Sequence, residues 1–333
     1  MTLTVLEFFG GIGSPRHALE RLNIEHEVLD YVEIDKYAVN SYNSMYGESY
    51  EPQDIRNWDK EISADMIFHG SPCQDFSLAG RGAGGVKDSA TRSSLLWETV
   101  RIIQNVNPKI IIWENVASVL HRTHKSVVDD YISELANFGY QSRILKLNAK
   151  DYGIPQNRTR VFIISQLQWS PIFTLSPVVL DKTLQDLLER DVDAKFNLSD
   201  KLKKYINQTN SSKYNISQSR LVLNRTIAST VSTRTGRNRA DCSDYISDDF
   251  SLNENIVGVD LVPHTIRRLT PKECWRLQGF SDDLFTRAEQ VCSNSQLYKQ
   301  AGNSIVVDVL CHLFQALNLN DLPNDLYSHT SSP

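Results

Sequence analysis

The fold is best deduced from residues 3–14, which run Leu3-Thr-Val-Leu-Glu-Phe-Phe-Gly-Gly-Ile-Gly-Ser14. The largely apolar residues 3–9 predict a buried β-strand. Gly11 and Gly13 follow directly, and glycine allows a tight turn and a close approach of the backbone to a ligand. We therefore expect the chain to begin with a strand and a ligand-facing glycine turn.

Further apolar runs extend this pattern through the first half of the chain. They predict strands at residues 27–34, 65–70, 109–114, 143–147 and 161–165. Amphipathic stretches separate several of them; in residues 127–138, apolar side chains recur at the three- and four-residue spacing of a helix. Strands that alternate with helices predict an α/β fold, with a parallel sheet covered on both faces.

The alternation ends near Trp169, and residues 166–265 are rich in polar side chains with little periodicity. A compact block returns at residues 267–280, and residues 303–317 predict a turn followed by an apolar helix. We expect three parts: a catalytic and cofactor-binding domain at 1–165, a smaller inserted domain at 166–290, and a return to the first domain at 291–333.

The composition is that of an ordinary globular protein, with 41% hydrophobic and 23% charged residues among 333. The net charge of -5 means that any contact with a polyanion needs a local basic patch. The five cysteines form no C-x-x-C pair, so we expect neither disulfides nor a metal site. With no signal-peptide pattern and no long apolar run, we expect a reduced, cytoplasmic protein without membrane contact.

An acidic residue, Glu33, ends the second predicted strand twenty residues after Gly13. At this spacing in dinucleotide-binding folds an acid reaches ribose hydroxyls, although a surface acid beside an ordinary turn fits the pattern as well. Arg16 stands where the third glycine of G-x-G-x-x-G would be, which disfavours NAD and FAD. A nucleoside cofactor without a pyrophosphate, such as S-adenosylmethionine, remains compatible.

Chemically reactive side chains lie at the ends of three other predicted strands. Cys73 comes after the third strand, Glu114 ends the strand at 109–114, and Arg158 and Arg160 precede the last strand. Taken singly, they could be an inert cysteine, a structural acid and a solvated pair. Together at one edge of a sheet, they suit attack on an electron-poor ring: a thiolate adds, a carboxyl meets a ring nitrogen, and arginines polarise a carbonyl oxygen.

At this point the sequence resembles the DNA cytosine-5 methyltransferase family, in its bacterial and phage form. The resemblance is carried, in order between residues 8 and 307, by FFGGIG, YVEID, QDIRNW, GSPCQDFS, WENV, QNRTR, RRLTPKECWRLQGF and QLYKQAGNSIVV. It implies a Rossmann-like methyltransferase sheet with an inserted target recognition domain. It also implies S-adenosylmethionine as cofactor, double-stranded DNA as partner, and a monomeric enzyme that methylates C5 of a flipped cytosine.

The resemblance also implies roles for individual residues. Cys73 is expected to add to cytosine C6, Glu114 to contact N3 and the exocyclic amine, and Arg160 to hold the O2 edge with Arg158 in support. Ser14 departs from the glycine found in many members. The positions that match cofactor contacts are Phe9, Gly11, Ile12, Gly13, Glu33, Ile34, Asp54, Ile55, Pro72, Asn303 and Ser304.

A reversal of charge marks the predicted DNA-binding part. Residues 201–240 contain nine Lys and Arg and no Asp or Glu. Although a solvated basic face gives the same pattern, an acidic protein that binds a polyanion needs such a patch. We expect Arg234, Arg237, Asn238 and Arg239 at the DNA, and a mobile glycine-rich loop at residues 78–86.

Three other functions are compatible with parts of this pattern. An RNA methyltransferase would share the motifs, but the long insert argues for a domain that reads DNA. A non-catalytic DNA-binding protein is disfavoured because Cys73, Glu114 and Arg160 are all present. A nicotinamide oxidoreductase is disfavoured by Arg16. The recognition sequence and any cognate restriction enzyme cannot be inferred.

Overall fold

The computed structural model describes residues 2–71, 95–167, 175–208, 223–236, 244–249 and 264–319. One sheet is built from six strands: β1 (Leu3–Phe8), β2 (His26–Val32), β3 (Met66–His69), β4 (Ile110–Val116), β5 (Gln141–Asn148) and β6 (Thr159–Gln166). Each predicted strand is found, with ends shifted by no more than two residues. The α/β class is therefore confirmed.

The strand order is β2-β1-β3-β4-β6-β5. The first four strands are parallel, as predicted, but β6 is antiparallel to both of its neighbours, so the expectation of a fully parallel sheet is wrong there. Only residues 149–158 connect β5 to β6, which is too short for the helical crossover that a parallel strand needs. As a result, β6 begins at the edge where β1, β3 and β4 end, which we call the carboxyl edge.

Helices surround the sheet on both faces. The helices of the described residues, of which α5 belongs to the later part of the chain, are α1 (Ser14–Arg21), α2 (Lys36–Tyr46), α3 (Leu95–Val106), α4 (Lys125–Asn137), α5 (Asp200–Gln208), α6 (Pro271–Arg276), α7 (Asp282–Glu289), α8 (Asn294–Asn303) and α9 (Val307–Leu317). Because side chains alternate along a strand, β4 buries Ile110 and Ile112 with α1 and α9 but Ile111 and Trp113 with α3 and α4. No helix in the described part is long and apolar enough to span a bilayer.

The later part of the chain has short elements. Strands β7 (Tyr245–Ser247) and β8 (Ile266–Arg268) form a two-stranded antiparallel sheet. After β8, the chain returns to the main sheet: Arg287 of α7 donates to the carbonyl of Met45 at 3.0 Å, and Arg21 of α1 pairs with Asp308 of α9 at 3.0 Å. Helix α7 lies within the predicted insert, which ends at residue 290, yet it contacts α2 of the first domain. The domain boundary at residue 290 stays a prediction.

Candidate active site

Two side chains of opposite charge meet at the carboxyl edge. Glu114 on β4 lies opposite Phe162 of β6, and Arg160 lies opposite Val116, so the two are diagonal neighbours. The Arg160 Nε atom lies 3.1 Å from Oε1 of Glu114, and the side chains are only 16% and 12% exposed. Burial raises the pKa of Glu114, and the nearby arginines at 160 and 158 oppose that rise. The carboxyl group is therefore easier to protonate than an ordinary one.

The chain leaves β3 beside this pair. The Ser71 hydroxyl accepts hydrogen bonds from Trp113 Nε1 at 3.0 Å and Asn115 Nδ2 at 3.2 Å, from the residues on either side of Glu114. A Cβ atom placed on Gly70 would lie 3.8 Å from Oε2 of Glu114. The segment that continues to Pro72 and Cys73 thus starts next to the carboxyl group. Pro72, Cys73 and the loop at 78–86 lie outside the described residues.

Arg158 precedes β6 and has partners different from those of Arg160. The residue is 2% exposed, and its guanidinium donates to the carbonyls of Val231 at 2.6 Å, Gly302 at 3.1 Å and Ser304 at 2.5 Å. These carbonyls belong to two distant stretches of chain. Arg158 therefore joins the start of β6 to both of them, which sequence patterns alone did not indicate.

The glycine turn, residues 9–13, follows β1 and contains three residues in the left-handed region. The φ angles are 55° at Phe9, 56° at Gly11 and 75° at Gly13, and a non-glycine residue adopts such a value rarely. A Cβ atom on Gly11 would have no neighbour within 4 Å, so the backbone there faces open space. Glu33 braces the turn, because its Oε2 accepts from the Gly11 N–H at 3.1 Å.

Three tyrosines, Tyr31, Tyr42 and Tyr46, pack against the glycine turn. Tyr31 donates to the carbonyl of Gly11 at 2.6 Å, and Tyr46 donates to that of Gly13 at 3.0 Å. A Cβ atom on Gly13 would lie 2.7 Å from the Tyr42 ring, so glycine is required there.

Arg16, which replaces the third glycine of the dinucleotide pattern, lies against the same tyrosines. Its guanidinium carbon lies 4.5 Å from the ring centre of Tyr46, and its Nη1 bonds Glu48 at 2.8 Å. The spacing of Tyr42 and Tyr46, four residues apart on one helix, was the available signal for this support, and sequence reasoning missed it.

The remaining cofactor candidates gather around Glu33. Its carbonyl accepts from the N–H of Gln53 at 2.8 Å, which brings the adjacent Asp54 to the end of β2. Ile34 is 65% exposed and offers an apolar surface, whereas Ile12 and Ile55 are buried. Asp54 pairs with Arg56 at 2.5 Å. This set of groups suits a nucleoside. The two acids can accept from hydroxyls and an amine, the exposed apolar side chain can lie against a ring, and the open glycine backbone allows close approach.

The C-terminal candidates lie across from the glycine turn. Asn303 is exposed at the end of α8, and Ser304 is buried with its hydroxyl 2.8 Å from that of Ser14.

Only part of the predicted DNA surface is described. Arg234 is exposed, in a turn closed by the hydrogen bond from the Thr235 N–H to the Ser232 carbonyl at 2.9 Å. Two other cations of the basic stretch have acidic partners: Arg225 pairs with Asp244 at 3.1 Å, and Lys203 with an acid of its own helix at 3.0 Å. Arg237, Asn238 and Arg239 lie outside the described residues.

Comparison with known proteins decides the family. The model of the C-5 cytosine-specific DNA methylases matches residues 3–318. This chain belongs to that family. The family resemblance seen in the motifs is thereby confirmed, and with it the activity of a DNA cytosine-5 methyltransferase, for which S-adenosylmethionine-dependent methylation is implied.

This methylase aligns with type II methyltransferases over nearly the whole of both chains. It is 32% identical over 378 residues to the type II methyltransferase M2.ScrFI of Lactococcus lactis subsp. cremoris, covering 95% of this chain and 99% of that protein. It is 30% identical over 316 residues to the type II methyltransferase M.Bsp6I of Bacillus sp. (strain RFL6), covering 92% and 96%.

Solved structures share the methylase fold at lower identity. The Entamoeba histolytica methyltransferase EhMeth aligns with a TM-score of 0.74 at 18% identity, covering 97% of this chain and all 100% of that one. The S. pombe Dnmt2 methyltransferase aligns with a TM-score of 0.73 at 18% identity, covering 96% and 100%. Both support the Rossmann-like methyltransferase architecture.

Proposed function

We propose that this methylase transfers a methyl group from S-adenosylmethionine to C5 of a cytosine flipped out of a specific duplex sequence, through a covalent bond between Cys73 and cytosine C6. The observation that carries the proposal is the Glu114–Arg160 pair at the carboxyl edge, beside the point where the chain departs for Cys73. Ligands of open α/β sheets bind at this edge.

Cys73 is the proposed nucleophile. Its thiolate forms a bond to C6, and the displaced ring electrons make C5 nucleophilic. S-adenosylmethionine, when bound, supplies the electrophilic methyl group. A solvent water then takes the C5 proton, the electron pair of that C–H bond re-forms the C5–C6 double bond, and the bond between C6 and Cys73 breaks to release the thiolate. S-adenosylhomocysteine is the other product.

Glu114 and Arg160 are proposed to hold the ring during these steps. A carboxyl group with a raised pKa can donate a proton or hydrogen bond to cytosine N3 as electrons enter the ring. The Arg160 guanidinium suits the developing negative charge on O2. The 3.1 Å contact between them supports a shared task. Arg158 is proposed to act in support, through its bonds to neighbouring backbone.

For the cofactor, we infer that Glu33 binds the ribose hydroxyls, Ile34 flanks the adenine and Asp54 meets its amino group. The glycine turn, with Phe9, Gly11, Ile12 and Gly13, would hold the methionine part. Support comes from the open face of Gly11 and from the two acids joined through Gln53. The candidates that complete this set are Ile55, Pro72, Asn303 and Ser304.

The covalent step is tested with Cys73→Ala and with DNA that carries 5-fluorocytosine. The variant should lose methyl transfer and keep DNA binding, because only the thiol bonds to the base. On the fluorinated duplex, wild-type enzyme should be trapped, since fluorine cannot leave C5 as a proton does. Near-normal turnover by the variant, or a trap that peptide mapping assigns to another cysteine, would refute the mechanism.

Sequence recognition is proposed for the inserted residues 166–290, with Arg234, Arg237, Asn238 and Arg239 at the DNA. Bisulfite sequencing of DNA from expressing cells identifies the site, and parallel assays on duplex DNA and tRNA define the substrate. Alanine at a base-reading arginine should cost about 1–3 kcal/mol and relax one position of the site, whereas alanine at a phosphate contact should weaken all sequences alike. Lys125→Ala, an exposed cation of α4, is the control.

If all four alanine variants kept their affinity, salt dependence and site preference, the recognition surface would lie elsewhere in the insert.

A further inference from the structure

Ser14, the residue directly after the glycine turn, has a specific environment. Its side chain is buried, with 3% exposure, at the first turn of α1 directly after the glycine turn. The hydroxyl lies 2.8 Å from that of Ser304, 290 residues away in sequence, and accepts from the Ile305 N–H at 3.3 Å. A glycine at position 14 could make neither contact.

Ser304 is itself fixed to the rest of the site. Its carbonyl accepts from Arg158, whose other bonds reach Gly302 and Val231. The stretch after Val231 packs directly on this segment, because a Cβ atom on Gly302 would lie 2.2 Å from the backbone nitrogen of Thr233. The hydroxyl pair therefore attaches the glycine turn to a rigid part of the core.

The other side of the glycine turn is held by different groups. Tyr31 and Tyr46 bind its carbonyls, and Glu33 binds its Gly11 N–H. Only Ser14, among the contacts described for the turn, reaches the C-terminal segment that carries Asn303. Without this hydroxyl, the partly buried Ile305 N–H loses an acceptor, and an unpaired buried donor is costly. Among the described residues, the turn would then lose its direct hydrogen-bonded contact with the Asn303 segment.

We propose that Ser14 is a positioning residue for the cofactor: with Ser304, it fixes the glycine turn at a set distance from residues 303–305, so that both sides of the pocket are in place before S-adenosylmethionine binds. The proposal rests on the proposed function, which assigns the glycine turn to the cofactor. Preorganisation of this kind increases affinity by reducing the ordering cost of binding.

The test measures binding of S-adenosylhomocysteine to the full chain by calorimetry. Ser14→Ala should weaken affinity about three- to tenfold, the size of one ordinary hydrogen bond. Ser304→Ala removes the hydroxyl pair but leaves the bond from the Ile305 N–H to Ser14, so it should weaken affinity no more than Ser14→Ala does. The double variant should be hardly weaker than Ser14→Ala, since both single variants remove the same hydroxyl contact. In turnover assays, the KM for S-adenosylmethionine should rise while kcat changes little.

Ser41→Ala is the matched control. Ser41 is also buried, and its hydroxyl donates to Gln300 of α8 at 3.2 Å, away from the glycine turn. Both Ser14→Ala and Ser41→Ala remove a buried hydrogen bond, so both should lower the denaturation midpoint. Only Ser14→Ala should weaken S-adenosylhomocysteine binding. If Ser14→Ala fails to fold, Ser14→Gly, which restores the residue common in the family, replaces it.

Glu33→Ala separates the two proposals. If Glu33→Ala weakens S-adenosylhomocysteine binding but Ser14→Ala, Ser14→Gly and Ser304→Ala do not, the positioning role of Ser14 is overturned alone. If Glu33→Ala also leaves affinity unchanged, the assignment of this turn to the cofactor is wrong. Fully additive effects of Ser14→Ala and Ser304→Ala would contradict the proposal as well, because they would show that the hydroxyls act separately.

Discussion

The carboxyl edge has a buried carboxyl group at each of two strands, β1 and β4, which we call the β1 end and the β4 end. The surroundings of the two groups differ. At the β1 end, Glu7 is completely buried beside Arg16 and Tyr42 and, among the described residues, has no ion pair as close as that of Glu114. Burial raises the pKa of Glu7 to about 7, although the charge of Arg16 opposes the rise. At the β4 end, Glu114 is 12% exposed and bonded to Arg160 at 3.1 Å.

The difference shows that burial alone does not make a carboxyl group functional. Glu7 is enclosed below the glycine turn and faces no open space through which a ligand could enter, so its protonation affects mainly the stability of the fold. Glu114 keeps an exposed face and a fixed cationic partner, so a bound base could take a proton from it. One residue type thus has two roles on one sheet, set by access and by partner.

The largest expected effect is that of Glu114→Gln. Glutamine keeps the shape but cannot protonate N3, so single-turnover methyl transfer should slow by about 10²–10⁴-fold. Binding of S-adenosylmethionine, followed by calorimetry, should stay near the wild-type value. If Glu114→Gln instead lost cofactor binding, Glu114 would belong to the cofactor site. The distinction between a catalytic Glu114 and a structural Glu7 would then no longer hold.

Glu7→Gln is expected to change how stability depends on pH. With a pKa of 4.5 in the unfolded chain and about 7 in the folded one, Glu7 makes the folded protein bind more protons between these values. Its contribution to the free energy of unfolding is therefore most favourable below pH 4.5 and falls by about 3 kcal/mol as pH rises through 7. Glutamine does not ionise and removes this dependence. The free energy of unfolding of the variant should therefore rise relative to that of wild type as the pH increases.

Urea unfolding at pH 5 and pH 8.5 measures the Glu7 effect. Glu27→Gln, which changes an exposed glutamate of β2, controls for the loss of one negative charge. A stability difference between Glu7→Gln and wild type that stays constant across this range would show that Glu7 is ionised throughout, and the comparison with Glu114 would need revision.

Much of the sheet could be predicted because its signals are local. Apolar runs located all six strands, and the end of a central strand located Glu114. The direction of β6 and the bonds of Arg158 could not be predicted in the same way. The partners of Arg158 are 73, 144 and 146 residues away, and such contacts depend on how the elements pack rather than on any repeating pattern.

The inserted part was harder to interpret for a related reason. Its described elements are short and joined by side-chain bonds, such as the Arg267–Glu273 pair at 2.8 Å. Counting charges within residues 201–240 also overstated the free positive charge, because Arg225 finds its partner, Asp244, outside that window. Composition identifies a basic stretch, but only tertiary structure shows which cations are neutralised.

The smallest expected effect concerns Glu33, at the β1–β2 end. Burial raises its pKa, while the Gly11 and Asp35 N–H groups, at 3.1 and 2.8 Å, stabilise the charged form. If its carboxylate also accepts from ribose hydroxyls, Glu33→Ala should weaken S-adenosylmethionine binding by about 1.5–3 kcal/mol, the range for a hydrogen bond to a charged group. At saturating cofactor, kcat should change little, because the chemistry takes place at the β4 end. Glu33→Gln, which keeps one acceptor oxygen, should fall between wild type and alanine. Calorimetry on the three proteins decides: equal affinities would mean that Glu33 does not touch the cofactor sugar, and that the glycine turn which it braces is not the cofactor site.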